Sequence, residues 1–196
     1  MYAYIEGVVD EVLEAALILD HDGIGYEILM PASDLGELVG RRDHIRIYTI
    51  FSATENGVFL YGFLNKEEKE LFSLLISVNG VGPKAAISIL GTLSCEQLRF
   101  AIAGEDAKTI SQAPGIGPKS ARRIILDLKD KIDFTLAVEE HVSSSSAVGG
   151  SVRGDAIEAL VALGYSSSEA FKALSDVELT DDTTAEELIR IALRNL

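Results

Sequence analysis

A single cysteine, Cys95, among 196 residues excludes an internal disulfide and any CxxC zinc site. Long apolar runs are also missing. No stretch approaches the roughly 20 residues of a membrane-spanning helix. The opening segment Met1-Tyr2-Ala3-Tyr4-Ile5-Glu6 lacks the basic stretch and apolar core of a secretory signal. These absences point to a cytoplasmic protein. Histidine is scarce, and His21, His44 and His141 stand at no metal-ligand spacing, so no metal site is expected. No Ser/His/Asp arrangement supports nucleophilic catalysis. No GxxxxGK[ST] loop is present, which argues against unaided ATP hydrolysis. The expectation is a protein with no catalytic residue and no cofactor.

Positive charge is in short supply too. Seventeen Lys and Arg face 31 Asp and Glu, for a net charge of −14. Phosphate binding needs the opposite sign. The deficit is uneven, however. Residues 1–64 have a balance of −8 and residues 136–196 a balance of −7, while residues 65–135 stand at +1. Only the middle third offers phosphate a surface without strong local repulsion.

What is present divides into three segments. Residues 1–64 have the pattern of β-structure. Ile45, Ile47 and Phe51 alternate with His44, Arg46, Tyr48 and Ile50, and Tyr26, Ile28 and Met30 alternate with Glu27 and Leu29. Asp22-Gly23 and Asn56-Gly57 each join two apolar runs, as tight hairpins do. Gly7, inside the first strand pattern, predicts a bend or bulge. Five short strands, with a loop or helical turn near Pro31–Leu38, fit a Greek-key barrel of the OB type. Residues 65–135 are helical in pattern, with Leu71, Leu74, Leu75 and Val78 at helical spacing. The pattern fades near Phe134. Ser143-Ser144-Ser145-Ser146 and Gly149-Gly150-Ser151 then mark residues 136–152 as a flexible linker. Residues 153–196 predict three short helices. Ile157, Leu160 and Val161 form one stripe, and Ser166-Ser167-Ser168-Glu169 resembles a cap. Thr183 or Thr184 caps the last helix, whose apolar face is Leu188, Ile191 and Ala192. The predicted class is thus α+β multidomain: a barrel, a central helical domain and a small three-helix domain.

The strongest signal is a repeat with a 35-residue offset. Asn79-Gly80-Val81-Gly82-Pro83-Lys84-Ala85-Ala86 returns as Pro114-Gly115-Ile116-Gly117-Pro118-Lys119-Ser120-Ala121. Each copy follows a short helix, at Leu71–Val78 and Ala107–Gln112, and opens another. This is the helix-hairpin-helix pattern. The glycines let the chain turn sharply and bring bare backbone close to a ligand. Proline suits a first helical turn, where its missing N–H costs nothing. The remaining orphan N–H groups and the helix dipole favour an anion, and Lys84 and Lys119 add charge beside it. Val81 and Ile116 anchor each turn in its own helical core. Such a site holds phosphate and reads no base. One Gly-x-Gly turn is often a mere tight connection, but two matched copies argue for DNA, gripped on both strands of a duplex across the minor groove. The candidate phosphate-binding residues are Asn79, Gly80, Val81, Gly82, Lys84, Gly115, Ile116, Gly117, Lys119 and Ser120. Arg122 and Arg123 extend the basic patch, or else are solvated helix-face residues.

The order of these parts resembles the RuvA family over essentially the whole chain. The resemblance is carried by Leu60-Tyr61-Gly62-Phe63, by the two hairpins, and by Ala159-Leu160-Val161-Ala162-Leu163-Gly164-Tyr165. It implies a homotetramer that holds a four-way (Holliday) junction open and flat, with two tetramers able to sandwich it. It implies a third domain that recruits RuvB, a hexameric ATPase motor, and shared substrates with the RuvC nuclease. The setting it implies is recombination, DNA repair and the SOS response. It also implies an acidic pin between the last two barrel strands that repels phosphates at the crossover. Here the pin is Glu55 with Asn56, where the family pattern usually has two adjacent acids. The motor-binding candidates are Leu160, Leu163 and Tyr165, which alternatively fill the core of their own small domain. Two rivals remain: a helix-hairpin-helix DNA glycosylase, and a generic duplex-binding adaptor.

Overall fold

The computed structural model describes residues 2–55, 57–129, 131–132, 152–165, 169–170, 173–174, 177 and 183–195. Chain contacts define two compact units, Met1–Leu98 with Lys108–Ile124, and Arg99–Ala107 with Ile125–Leu196. The expected linker up to Ser151, the Ser166–Ser168 cap and Asn56 lie outside the described residues, while Val152, the last residue of that linker, is the first of a tail helix.

The alternating segments form five strands: β1 (Tyr4–Val12), β2 (Ala16–His21), β3 (Ile24–Leu29), β4 (His44–Thr54) and β5 (Gly57–Phe63). They close as a barrel in the order β1-β2-β3-β5-β4, an OB-type topology. The turns sit where Asp22-Gly23 and Asn56-Gly57 predict them. Gly23 has φ +84° and Gly57 φ +129°, which glycine adopts without strain. Inward positions fill the barrel with Ile5, Val9, Leu17, Leu19, Ile28, Met30 and Ile47, and α1 (Ala32–Leu38) plugs it with Leu35 and Leu38.

Two details depart from the sequence reading. The register irregularity in β1 falls between Val9 and Glu11, not at Gly7. Gly7 is needed for another reason: a Cβ there would stand 2.3 Å from the Asp20 carbonyl oxygen. Phe51 has the inward parity of Ile47 but is 39% exposed, because β4 has by then left the barrel. Its ring meets Tyr2 edge-on at 6.1 Å.

The second helix, α2 (Lys66–Ile76), is capped by Asn65, whose side chain accepts from the Glu68 amide at 2.8 Å. Phe72 presses against Tyr61 and Phe63 of β5, at 5.1 and 5.0 Å between rings. This contact fixes the first hairpin to the barrel. Beside it, two acids face each other. Asp34 of α1 is buried and accepts from the Leu64 amide at 3.2 Å and the Ser33 hydroxyl at 3.1 Å. Glu68 abuts it as a side-chain hydrogen-bond partner, and its Oε2 is buried with no other donor bonded to it among the described residues. Burial pushes the Glu68 carboxyl up to about 8, and the neighbouring Asp34 charge adds to the effect. Burial raises Asp34 as well. A proton shared between the two relieves the repulsion.

An acid whose pKa rises on folding stabilises the fold while protonated. That contribution is complete below the ordinary value of 4.5 and is lost as pH climbs through about 8. Tm should therefore fall as pH is raised across this window, and Glu68→Gln should flatten the fall and exceed wild type at the alkaline end. Parallel Tm–pH curves for the two proteins would show that the pair does not drive the dependence.

Further helices follow: α3 (Pro83–Leu90), α4 (Cys95–Ala103), α5 (Ala107–Ile110) and α6 (Pro118–Leu128). Ser94 and Gln97 form a reciprocal cap at the start of α4, at 3.0 and 3.1 Å. In the tail, α7 (Val152–Ala162) and α8 (Ala185–Asn195) pack around Ala156, Leu160, Ala170, Leu174, Leu188 and Ala192. Thr184 is the residue that caps α8, paired reciprocally with Glu187. Ile191 turns outward and is 37% exposed, while Ile189 packs on the core in its place. No helix among the described residues is long and apolar enough to cross a membrane.

Candidate nucleic-acid interface

The 35-residue repeat is a repeat of geometry. Gly80 and Gly115 have φ +85° and +82°, a left-handed turn that a side chain would strain. The Val81 amide donates to the Val78 carbonyl and the Ile116 amide to the Ala113 carbonyl, both at 3.0 Å. One turn later, Ala86 donates to Gly82 and Ala121 to Gly117, again at 3.0 Å each. Val81 and Ile116 are both 6% exposed. Burying each apolar side chain contributes about 1.5–3 kcal/mol, enough to pin its turn.

These bonds sort the expected phosphate ligands. The Val81 and Ile116 amides are engaged internally, so these two residues anchor the hairpins and present no open amide. The open donors lie in the first turns of α3 and α6. Gly82 caps α3 with no side-chain bond, and Pro83 occupies N1. Helix geometry leaves the Lys84 and Ala85 amides without an intrahelical carbonyl, and likewise those of Lys119 and Ser120. Lys84 and Lys119 are exposed beside them, and so are Gly80, Gly82, Gly115 and Gly117. Asn79 is exposed at the mouth of the first turn, and Arg122 on α6. Arg123 is partly committed: its Nη1 donates to the Asn79 carbonyl at 3.0 Å. Each hairpin thus offers a neutral, bare backbone and one ammonium, a surface suited to phosphate oxygens and blind to base identity.

One further residue takes part. Ser88 of α3 donates to the Pro114 carbonyl of the second hairpin at 2.8 Å. Nothing in its local sequence marks it. The signal was the offset itself, which pairs Ser88 with Arg123.

Away from the hairpins, Glu55 is exposed at the tip of the β4–β5 turn. The motor-binding candidates separate. Leu160 is fully buried and belongs to its domain's own core. Gly164, at φ +102°, turns the chain after α7, with the Tyr165 amide bonded to the Leu160 carbonyl and the Gly164 amide to the Val161 carbonyl. Tyr165 is partly buried and packs against the tail core. Leu163 alone stands out, 62% exposed.

An OB-type barrel followed by two matched hairpins defines a tandem helix-hairpin-helix protein. Known proteins agree. Residues 72–130 match the SAM-like helix-hairpin-helix tandem family, residues 1–62 the RuvA N terminal domain, and residues 151–196 the RuvA C-terminal domain. The chain is 38% identical to a protein of Lachnospira eligens, across 100% of this chain and 99% of that one. It is 40% identical to one of Ruminiclostridium cellulolyticum, across 100% of both. It is also 40% identical to one of Caldanaerobacter subterraneus subsp. tengcongensis, across 100% and 99%. All three are named Holliday junction branch migration complex subunit RuvA. The chain belongs to the RuvA family.

Proposed function

We propose that this protein binds four-way DNA junctions without sequence specificity, holds them open, and recruits a RuvB-type hexameric ATPase for branch migration in recombination and repair. It acts as a homotetramer and shares its junctions with a RuvC-type nuclease. The protein itself is a non-catalytic subunit. The observation that carries the reading is the doubled hairpin, two turns with matching glycine φ and backbone hydrogen bonds in the one stretch of chain that is not acidic. The names of the full-length relatives support the junction as substrate. The domain limits proposed are a barrel at 1–64, hairpins at 65–135, a linker at 136–152 and a motor-recruiting domain at 153–196.

The test is a competition gel-shift between a four-way junction and linear duplex of the same length, with the oligomer measured by sedimentation. A tetramer that prefers the junction supports the proposal. Equal affinity for both DNAs would favour a generic duplex adaptor, and base release from damaged duplex would favour a glycosylase.

The pin makes a sharper prediction. Glu55→Lys converts repulsion at the crossover into attraction. Junction binding should be retained or tightened, while discrimination against duplex falls. Asn56→Asp adds the second acid and should sharpen discrimination. Equal junction-to-duplex ratios in wild type and both variants would remove the pin assignment.

A further inference from the structure

Two hydrogen bonds join the hairpins, and they are images of one another. Ser88 lies five residues after Pro83, and Arg123 five residues after Pro118. Ser88 donates to the carbonyl of Pro114, which is the counterpart of Asn79 under the 35-residue offset. Arg123 donates to the carbonyl of Asn79 itself. Each hairpin's second helix therefore holds the opposite hairpin's turn, at the residue just before its left-handed glycine. The side chains are unlike, a short hydroxyl and a long guanidinium, yet they make the same cross-connection. Packing adds to it: a Cβ at Gly80 would come within 3.3 Å of Arg123 Nη1.

We propose that Ser88 and Arg123 are positioning residues that cross-tie the two hairpins into one rigid two-point phosphate clamp. The proposal rests on the reading of the hairpins as phosphate sites. One hairpin alone holds one phosphate weakly. Once the first is engaged, the second binds intramolecularly, at an effective concentration set by how well the spacing is fixed. A pre-set spacing that matches the duplex also spares the ordering cost on binding. The ties act on the carbonyl beside each turn, so they orient the first-turn amides without occupying them. Arg123 is then first a structural donor to Asn79, and only secondarily a contributor of charge.

The full-length protein tests this with a four-way junction, measured by fluorescence anisotropy over a salt series. Ser88→Ala carries no charge change and sits in a helix interior, where alanine is well tolerated. It should weaken binding about threefold to tenfold, the range of one lost hydrogen bond. The log–log salt slope should stay the same, because no phosphate contact is lost. Lys84→Ala, by contrast, should flatten that slope by about 0.9. Ser88→Thr, which keeps the hydroxyl, should restore affinity.

The decisive readout is coupling between the hairpins. In the tied protein, Lys84→Ala and Lys119→Ala together should cost less than the product of their separate losses, by at least about fivefold. Adding Ser88→Ala and Arg123→Met should make the two losses multiply. If Arg123→Met does not fold, Ser88→Ala alone should reduce the coupling. Unchanged coupling in the untied protein overturns the cross-tie and leaves the phosphate sites standing. A salt slope that falls with Arg123→Met while Ser88→Ala binds normally also overturns it, and makes Arg123 a direct phosphate ligand. If neither lysine variant weakens binding, the phosphate reading fails and the cross-tie falls with it.

Discussion

Junction affinity is expected to collapse, by two orders of magnitude or more, when Lys84 and Lys119 are both replaced with glutamate. Each change removes a cation beside the open amides and supplies a carboxylate in its place. That carboxylate competes for the same helix N-terminus and repels the incoming phosphate. The salt slope should flatten by roughly 1.8 per protomer, about 0.9 for each lost contact. Misfolding is not a ready explanation for such a loss. Both lysines are exposed, and an acid in the first turn of a helix is stabilising by about 0.3–1 kcal/mol. The double variant should therefore keep its Tm and its oligomeric state. Full affinity in a folded double variant would make the hairpins purely structural.

The second large effect is expected from deleting the tail. A protein ending at Ser146 should bind junctions as the whole chain does, yet lose all stimulation of RuvB-driven branch migration. Residues 147–196 carry 9 acidic and 4 basic residues, a balance of −5, and add nothing attractive to phosphate. Ala156, Leu160, Leu188 and Ala192 lie in a core built from tail residues. Leu163, 62% exposed just after α7, is the most exposed large apolar residue described in the tail and the contact we propose for a motor subunit. Leu163→Asp in the whole chain should reproduce part of the loss. Full stimulation by the shortened protein would end the recruitment role, and loss of the tetramer would place the boundary elsewhere.

Much of this architecture was legible because its signals are local. Strand alternation, the Asp22-Gly23 and Asn56-Gly57 turns and the doubled Gly-apolar-Gly-Pro-Lys run each report on a few neighbouring residues. Errors arose where a residue's surroundings come from far along the chain. Gly7 looks like a bend, but its role is set by Asp20 on the next strand. Phe51 has the right parity and the wrong height. Leu160 and Tyr165 share a motif with Leu163, yet Leu160 is buried in a core with Leu174 and Leu188 and Tyr165 packs against it, burial that the motif does not show. The Asp34–Glu68 pair and the Ser88 and Arg123 ties were invisible for the same reason. Nothing within α1 announces that an acid from α2 will face it.

The β4–β5 hairpin has a consequence of its own. β1 pairs with β4 only as far as Tyr48, whereas β4 and β5 stay paired to Thr54 and Gly57. Beyond the barrel the hairpin is a two-stranded ribbon, and no third strand among the described residues pairs with Ile50–Thr54. A lone ribbon is marginal by itself and presents open edges on which another chain can grow. Phe51 and Val58, 39% and 66% exposed, make those edges adhesive. A charge at the tip, such as that of Glu55, is the kind of residue that disfavours strand-on-strand stacking of such edges. Glu55→Lys is therefore expected to stay soluble, whereas a neutral, β-branched residue at this position is expected to make the hairpin prone to aggregation.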